Sequence, residues 1–263
     1  MEEKIIKYPR TKHLEGSRLQ KGDEDLSQVP FSFIKNKFIV IEEKIDGANV
    51  AISFSKNKEL LLQSRGHFFR GGYKERHYEL FKTWANFYKD ELYKILGEKY
   101  IMYGEWMYAK HKIYYDKLPH YFIEFDIYDK ENNVFLSTSK GKEILKNTNI
   151  ISVPVLKEGK FSFLDEVLSY LKESHYISLS YLESLKKTIK ELKLDEEKIL
   201  SETDRTNLME GLYIKVENDD IVLDRMKYVS HRYIQVKIDE DSSWFNKEII
   251  PNKLDKDISE LFK

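Results

Sequence analysis

Two apolar runs frame this chain, FIVI at residues 38–41 and VAISF at 50–54, and only the polar string EEKIDGAN separates them. A run apolar on both faces reads as a strand buried on both sides and therefore central in its sheet, which suits residues 37–44. Residues 47–54 alternate instead, with Val50, Ile52 and Phe54 on one side. The lysine between them, Lys44, stands two residues before Asp46-Gly47 and is drawn inward from both directions. A lysine beside an acid is ordinarily a solvated pair, and a K-x-D-G string arises by chance in roughly one chain of this size in ten. Its weight depends on what accompanies it.

Composition narrows the field. Hydrophobic residues at 41% with 34% charged fit a folded chain of 263 residues, long enough for a substantial core. A formal net charge of −1 argues against coating nucleic acid through a global positive field, so any polyanion has to meet a local basic patch. With no cysteine, disulfides, thiolate zinc sites and cysteine nucleophiles are excluded, and a reducing cytosol suits the chain. MEEKIIKYPR has no apolar signal core and no run approaches a membrane span, so the expectation is a cytoplasmic protein with no membrane partner.

Along the chain, ELLLQSR reads as a third strand ending at Arg65. Helical spacing of Phe81, Trp84, Tyr88, Leu92 and Ile95 predicts a helix within Tyr73–Gly97, with Gly97 just past its end. Strand patterns return in KYIMYGEW and HYFIEFDIYD, the latter turning through DKENN into VFLS, so antiparallel sheets are expected. Residues 156–207 change character, with Ser162 and Glu166 marking a helix start and SYLESLKKTIKELKLDEEKI helical with a charged face. They read as a helical insertion. GLYIKVE and IVLDRMKYV form a hairpin across NDD, whose two-residue period puts Ile221, Leu223, Arg225 and Lys227 on one face.

Six ordered strings between residues 43 and 229 resemble the motifs of the covalent nucleotidyltransferases, the superfamily of ATP-dependent DNA ligases, RNA ligases and mRNA capping enzymes, and are most similar to small RNA ligases. EKIDGAN is similar to the first motif and implies adenylylation of Lys44, with Glu43, Ile45, Asp46 and Asn49 beside the nucleotide. QSRG implies Arg65 next to the reacting phosphate, and YGEW implies Glu105 on the ribose. FIEFDIYD implies Phe125 stacked on the purine, and EGLYIKVE implies Glu210 near a metal, with Lys215 a nucleotide contact. DRMKYV implies Arg225 and Lys227 facing the phosphates. The resemblance further implies an α+β fold of two antiparallel sheets flanked by helices and a single domain over residues 1–263. The implied cofactors are ATP, its AMP carried covalently on Lys44, and Mg²⁺ or Mn²⁺ held by Asp46 and Glu210. The implied partner is RNA with 3′-OH and 5′-phosphate ends.

The chemistry fits the residue types. Keeping an ordinary lysine neutral at pH 7 costs on the order of 4.6 kcal/mol. Nearby cations disfavour the ammonium, so Arg65, Arg225, Lys227 and above all a divalent metal are expected to surround Lys44 and keep it deprotonated. Lys44, Arg65 and Lys227 are the catalytic set. Asp46 favours the charged amine and is better suited to metal or water, while Gly47 permits a tight turn or close backbone approach.

Other residues weigh less. Arg10, Lys12, His13 and Arg18 in YPRTKHLEGSRLQKGD fit RNA phosphates or a solvated arm equally well, and WFNKEIIPN resembles the same RNA-ligase branch without assignable roles. His111 follows the third motif and stands for test, whereas Phe68, Phe69 and Tyr73 fit core or lid packing better than base stacking. No H-E-x-x-H occurs, SKGKEI lacks the P-loop pattern, and SLKK lies on a charged helix. The stretch after Lys227 is too short for the OB barrel of DNA ligases, which favours RNA over DNA nick sealing. A non-catalytic RNA-binding relative, or nucleotidylation of a protein or small molecule, keeps the same fold. The near-neutral charge calls for an end-processing or RNA-holding partner, or for help from the 156–207 helices.

Overall fold

In the computed structural model, which describes residues 4–19, 23, 28–231 and 247–263, the apolar runs around Lys44 become strands of two different sheets. In chain order the elements are β1 (Lys12–Leu14), β2 (Gln28–Val29), β3 (Phe38–Lys44), β4 (Ala48–Phe54), β5 (Leu60–Ser64), α1 (Glu79–Phe87), α2 (Lys89–Leu96), β6 (Tyr100–Trp106), β7 (Phe122–Asp129) and β8 (Val134–Phe135). There follow α3 (Thr138–Leu145), β9 (Ile151–Ser152), β10 (Val155–Lys160), α4 (Leu164–Leu168), α5 (Tyr181–Glu191), α6 (Glu196–Ser201), β11 (Gly211–Glu217) and β12 (Val222–Val229). The first sheet has the order β10-β3-β11-β12-β1-β2 and the second β5-β4-β6-β7-β8, with β9 beside β7. Pairing is antiparallel except where β1 runs parallel to β12 and β2, and β9 to β7. The fold is the expected α+β arrangement; β3 is paired on both sides, as its doubly apolar run implies, but lies next to edge strand β10 and not at the centre of the sheet.

The two-residue period sorts side chains between the faces. In the first sheet Ile39, Ile41, Leu212, Ile214, Val216 and Met226 point to one side and pack with Val167 of α4. In the second sheet Val50, Ile52, Phe54, Met102 and Trp106 pack against Phe81 and Trp84 of α1, Leu92 of α2, Leu185 of α5 and Ile199 of α6. The opposite faces look toward each other and carry Glu42, Lys44, Lys215 and Lys227 from the first sheet, with Asn49, Glu105 and Phe125 from the second. The apolar work of folding is done on the outer faces, which leaves the cleft between the sheets polar.

Two further expectations change. Residues 156–160, taken as the start of the helical insertion, belong to edge strand β10, paired with β3. The helices α5 and α6 then bury Tyr181, Leu185, Ile189 and Ile199 in the core of the second sheet. The helix predicted within Tyr73–Gly97 is a 3₁₀ turn (Tyr73–Tyr78) followed by α1 and α2, broken at Tyr88. Asp90 and Glu91 lie in the first turn of α2, where the helix dipole favours acids. Among the described residues no helix is long and apolar enough to cross a membrane.

Candidate active site

β3 leaves the first sheet at Lys44, and the chain enters the second at Ala48 through Ile45-Asp46-Gly47. The linker fits because Gly47 has no side chain: a Cβ there would lie 2.6 Å from Met107 Sδ, 2.8 Å from Glu105 Cγ and 2.9 Å from the Trp106 carbonyl. A cavity of about 240 Å³ opens at this crossing. Glu42, Glu43, Lys44 and Ile45 line one side with Tyr213 and Lys227, and Asn49, Glu105, Phe125 and Arg65 line the other. Tyr8, Pro9 and Thr11 of the N-terminal arm, with Asp23 and Val153, complete the wall.

Lys44 donates a short hydrogen bond to Glu210, a fully buried carboxylate at the start of β11. Burial pulls the Lys44 pKa down, but the charge and hydrogen bond of Glu210 outweigh it, Asp46 and Glu105 add to them, and the result is raised. Among the described side chains Lys44 therefore rests as an ammonium held by carboxylates. Glu105 shows the same excess of negative charge. Burial first, then Asp46 and Glu210, push it up to about 8 against the opposing effects of Lys44 and of Gly47 N–H, which donates to Oε1 at 3.2 Å.

The four basic residues expected here separate. Lys227 stays at the cavity, half-buried, and its amine is held by Asp23. Burial lowers its pKa, Asp23 opposes that, and Lys44 adds to the lowering. Arg65 lies exposed on the rim at the end of β5. Arg225 does not line the cavity: its guanidinium is 4.0 Å from the Phe135 ring centroid and 5.2 Å from that of Tyr8, with Nη2 3.7 Å from Asp126 Oδ2. Lys215 is more deeply buried still, donating to Glu42 Oε1 at 3.0 Å and the Phe125 carbonyl at 2.6 Å, and lying 3.2 Å from Asp126 Oδ1. Arg225 and Lys215 thus brace the two sheets behind the cavity.

The motif neighbours of Lys44 divide likewise. Glu43 points away from Lys44 and accepts from Ser174 Oγ at 2.5 Å, His175 N–H at 3.1 Å and His175 Nδ1 at 2.8 Å. Asp46 Oδ2 accepts from the backbone amides of Lys112 and Ile113 at 2.9 and 3.1 Å, and its Oδ1 is 3.8 Å from His111 Nδ1. Asp46 N–H donates to Tyr115 Oη at 2.9 Å. Asp46 therefore ties the crossing to the 110–115 loop through Oδ2, while Oδ1 faces His111. Among the described residues no three His, Asp or Glu side chains converge as a metal-binding group.

The sequence matches the RNA ligase family model over residues 37–229, most of the chain. The chain belongs to the RNA ligase family. No curated protein matches it. Among solved structures, a mutant Naegleria gruberi RNA ligase with ATP and Mn superposes with a TM-score of 0.54 at 14% identity over 87% of this chain and 57% of that one. A second mutant of that enzyme, with AMP and Mn, gives 0.54 at 13% identity over the same shares. An archaeal ATP-dependent RNA ligase superposes at 0.47, 13% identity, over 87% of this chain and 49% of its own. This RNA ligase family member shares the fold of the Naegleria enzyme and spans a little over half the length of that chain.

Several residues of the site carry no motif signal. Tyr8 donates to Asp126 and meets Tyr213 Oη at 2.6 Å, with Thr11 Oγ1 3.3 Å from the same hydroxyl. The arm is pinned by Ile6, whose carbonyl accepts from Tyr103 Oη at 2.7 Å and Gln63 Nε2 at 2.9 Å. Asp23 binds Lys227 and lies 3.1 Å from His13 Nε2, whose Nδ1 meets Ser17 Oγ at 2.7 Å. His13 was weighed for RNA phosphates, yet it is buried in this chain of contacts. Such partners lie far apart in sequence, and only folding brings them together. Part of YPRTKHLEGSRLQKGD (residues 20–22) and the start of WFNKEIIPN (residues 244–246) lie outside the described residues.

Proposed function

We propose that this chain is an ATP-dependent RNA ligase that carries AMP on Lys44 and joins RNA 3′-OH and 5′-phosphate ends. The observation behind this reading is the Lys44–Glu210 contact at the edge of a cavity that also holds Phe125, Glu105 and Lys227. Phe125 offers a half-buried ring for a purine, Glu105 a carboxyl for ribose hydroxyls and Lys227 a cation for the α-phosphate. The family and the ATP and AMP seen in its structural neighbours support a nucleotide substrate.

Lys44 starts as an ammonium, so the first step includes loss of a proton. Glu210, which already holds the amine, is placed to receive it as the N–P bond to AMP forms and the bond to pyrophosphate breaks. The oxygen of an RNA 5′-phosphate then attacks the same phosphorus and releases Lys44. Finally the 3′-OH attacks the RNA 5′-phosphate, and AMP leaves. Lys227 stabilises charge on the phosphate oxygens throughout. Glu210 is a hard oxygen donor in a site with surplus negative charge, which suits Mg²⁺ or Mn²⁺ taking its other ligands from phosphates and water. Such an ion, when bound, supplies further neutralisation of phosphate charge.

Incubation with α-labelled ATP and Mg²⁺, followed by denaturation, tests the reading. Label is expected on the unmodified chain and absent from Lys44→Ala; equal label on both places the nucleophile elsewhere. Sealing assays on nicked RNA, nicked DNA and single-stranded RNA test the substrate. Better joining of all-DNA nicks than RNA overturns the choice of RNA.

A further inference from the structure

Near the start of β3, whose far end about 20 Å away is Lys44, two aromatic rings face solvent. Phe33 is 41% exposed and Phe163 66% exposed. Their segments meet at the end of the first sheet where β3 begins, because Asn36 N–H donates to the Phe161 carbonyl at 2.9 Å and Ser162 Oγ–H to Asn36 Oδ1 at 3.2 Å. Lysines ride over both rings. Lys37 Nζ is 4.2 Å and Lys12 Nζ 5.5 Å from the Phe33 centroid, and Lys35 Nζ is 5.9 Å from that of Phe163. Lys160, in register with Phe38 at the start of β3, adds a fourth cation.

Lys12 is paired with Asp224 at 3.0 Å, whereas Lys35, Lys37 and Lys160 have no acidic partner among the described residues. A chain of formal charge −1 thus concentrates beside two exposed rings three lysines that have no acidic partner among the described residues. An acidic protein segment would satisfy the lysines but leave the rings without purpose. Single-stranded nucleic acid uses both, since its phosphates meet the lysines and its bases stack on phenylalanine without regard to sequence. We propose that this surface docks the single-stranded RNA flanking the ends to be joined, with Phe33 and Phe163 against bases and Lys35, Lys37 and Lys160 against phosphates. The choice of RNA rests on the proposed ligase reading. The patch lies outside the nucleotide cavity, so docking is separable from adenylylation.

Fluorescence anisotropy of a labelled single-stranded RNA oligonucleotide on the full chain tests this across a salt series. The Phe33→Ala/Phe163→Ala variant is expected to bind about tenfold more weakly with an unchanged salt slope. The Lys35→Ala/Lys37→Ala/Lys160→Ala variant is expected to bind more weakly and to lower the slope by about 2. Labelling of Lys44 by α-labelled ATP stays at the unmodified level in both, which also shows that they are folded. Unchanged RNA affinity in both variants, or no RNA binding by the unmodified chain, overturns the proposal. So does loss confined to the lysine variant together with displacement of RNA by polyglutamate, which assigns the surface to an acidic protein. If the unmodified chain takes no label while the two variants lose RNA affinity as described, the ligase reading fails and the docking surface stands.

Discussion

Lys44 is stable and unreactive in the same contact, because Glu210 that holds its ammonium also opposes loss of the proton. The rate of adenylylation at saturating ATP is therefore expected to climb steadily with pH across the neutral range. A plateau below about pH 7 would show instead that bound nucleotide has already removed the proton. Glu210→Gln keeps the shape and removes the carboxylate, and single-turnover labelling is expected to fall by about 10²-fold or more. Asp23 occupies the amine that the proposed reaction needs for phosphate, so Asp23→Asn is expected to lower the KM for ATP several-fold with little change in kcat; a raised KM would make Asp23 a positioning residue. Lys12→Ala, remote from the cavity and paired with Asp224, leaves labelling intact and weakens RNA binding at most. Motif strings made Lys44, Glu105 and Phe125 legible as cavity residues. They did not reveal the ionisation state of Lys44, which depends on three carboxylates contributed by separate segments.

At the scale of the element, β3 shows how one strand serves two purposes. Ile39, Ile41 and Glu43 face one side, and Glu42 and Lys44 the other. Glu43 anchors the 174–175 segment through three hydrogen bonds, and Glu43→Ala is expected to cost about 3 kcal/mol in urea unfolding by leaving those donors unsatisfied. The hairpin of β11 and β12 tolerates even less. A Cβ on Gly211 would fall 1.9 Å from the Tyr228 carbonyl oxygen, with backbone on the contacted side, so Gly211→Ala is expected to abolish soluble folded protein. Element type was readable from periodicity for β3, β11 and β12 of this sheet. The break at Tyr88 and the strand at 156–160 were not, because an interrupted helix keeps its local spacing and an edge strand is defined by its neighbour β3.

Across the whole molecule, the buried charge behind the cavity sets a pH dependence. Lys215 pairs with Glu42 and Asp126, Arg225 lies against Asp126, and Glu124 feels Lys215 only at longer range, so the carboxyls outnumber the cations. Burial, opposed by Lys215 and reinforced by Asp126, pushes Glu42 up to about 8, and burial is likewise the main cause for Glu124, at about 7. Between the ordinary carboxyl value of about 4.3 and these folded values, the native state binds more protons than the unfolded chain. Stability contributed by these groups therefore falls as pH rises from about 5 to about 8. A thermal-melt series should show it, and Glu42→Gln, neutral at every pH, should flatten the slope; an unaltered slope would assign the effect to other groups. What the sequence determined by itself was the long strands β3, β4, β6, β7, β11 and β12, which of their side chains share a face, and that Lys44 ends a buried strand at a turn. Those follow from the two-residue period and from glycine, and both are local. Tertiary structure decided the partners: Lys227 remained at the cavity with Asp23, Arg225 on the same face of β12 was claimed by Asp126 and two rings, and Lys215 was sealed between the sheets. The period fixes a direction, but the charge met along it comes from residues distant in the chain.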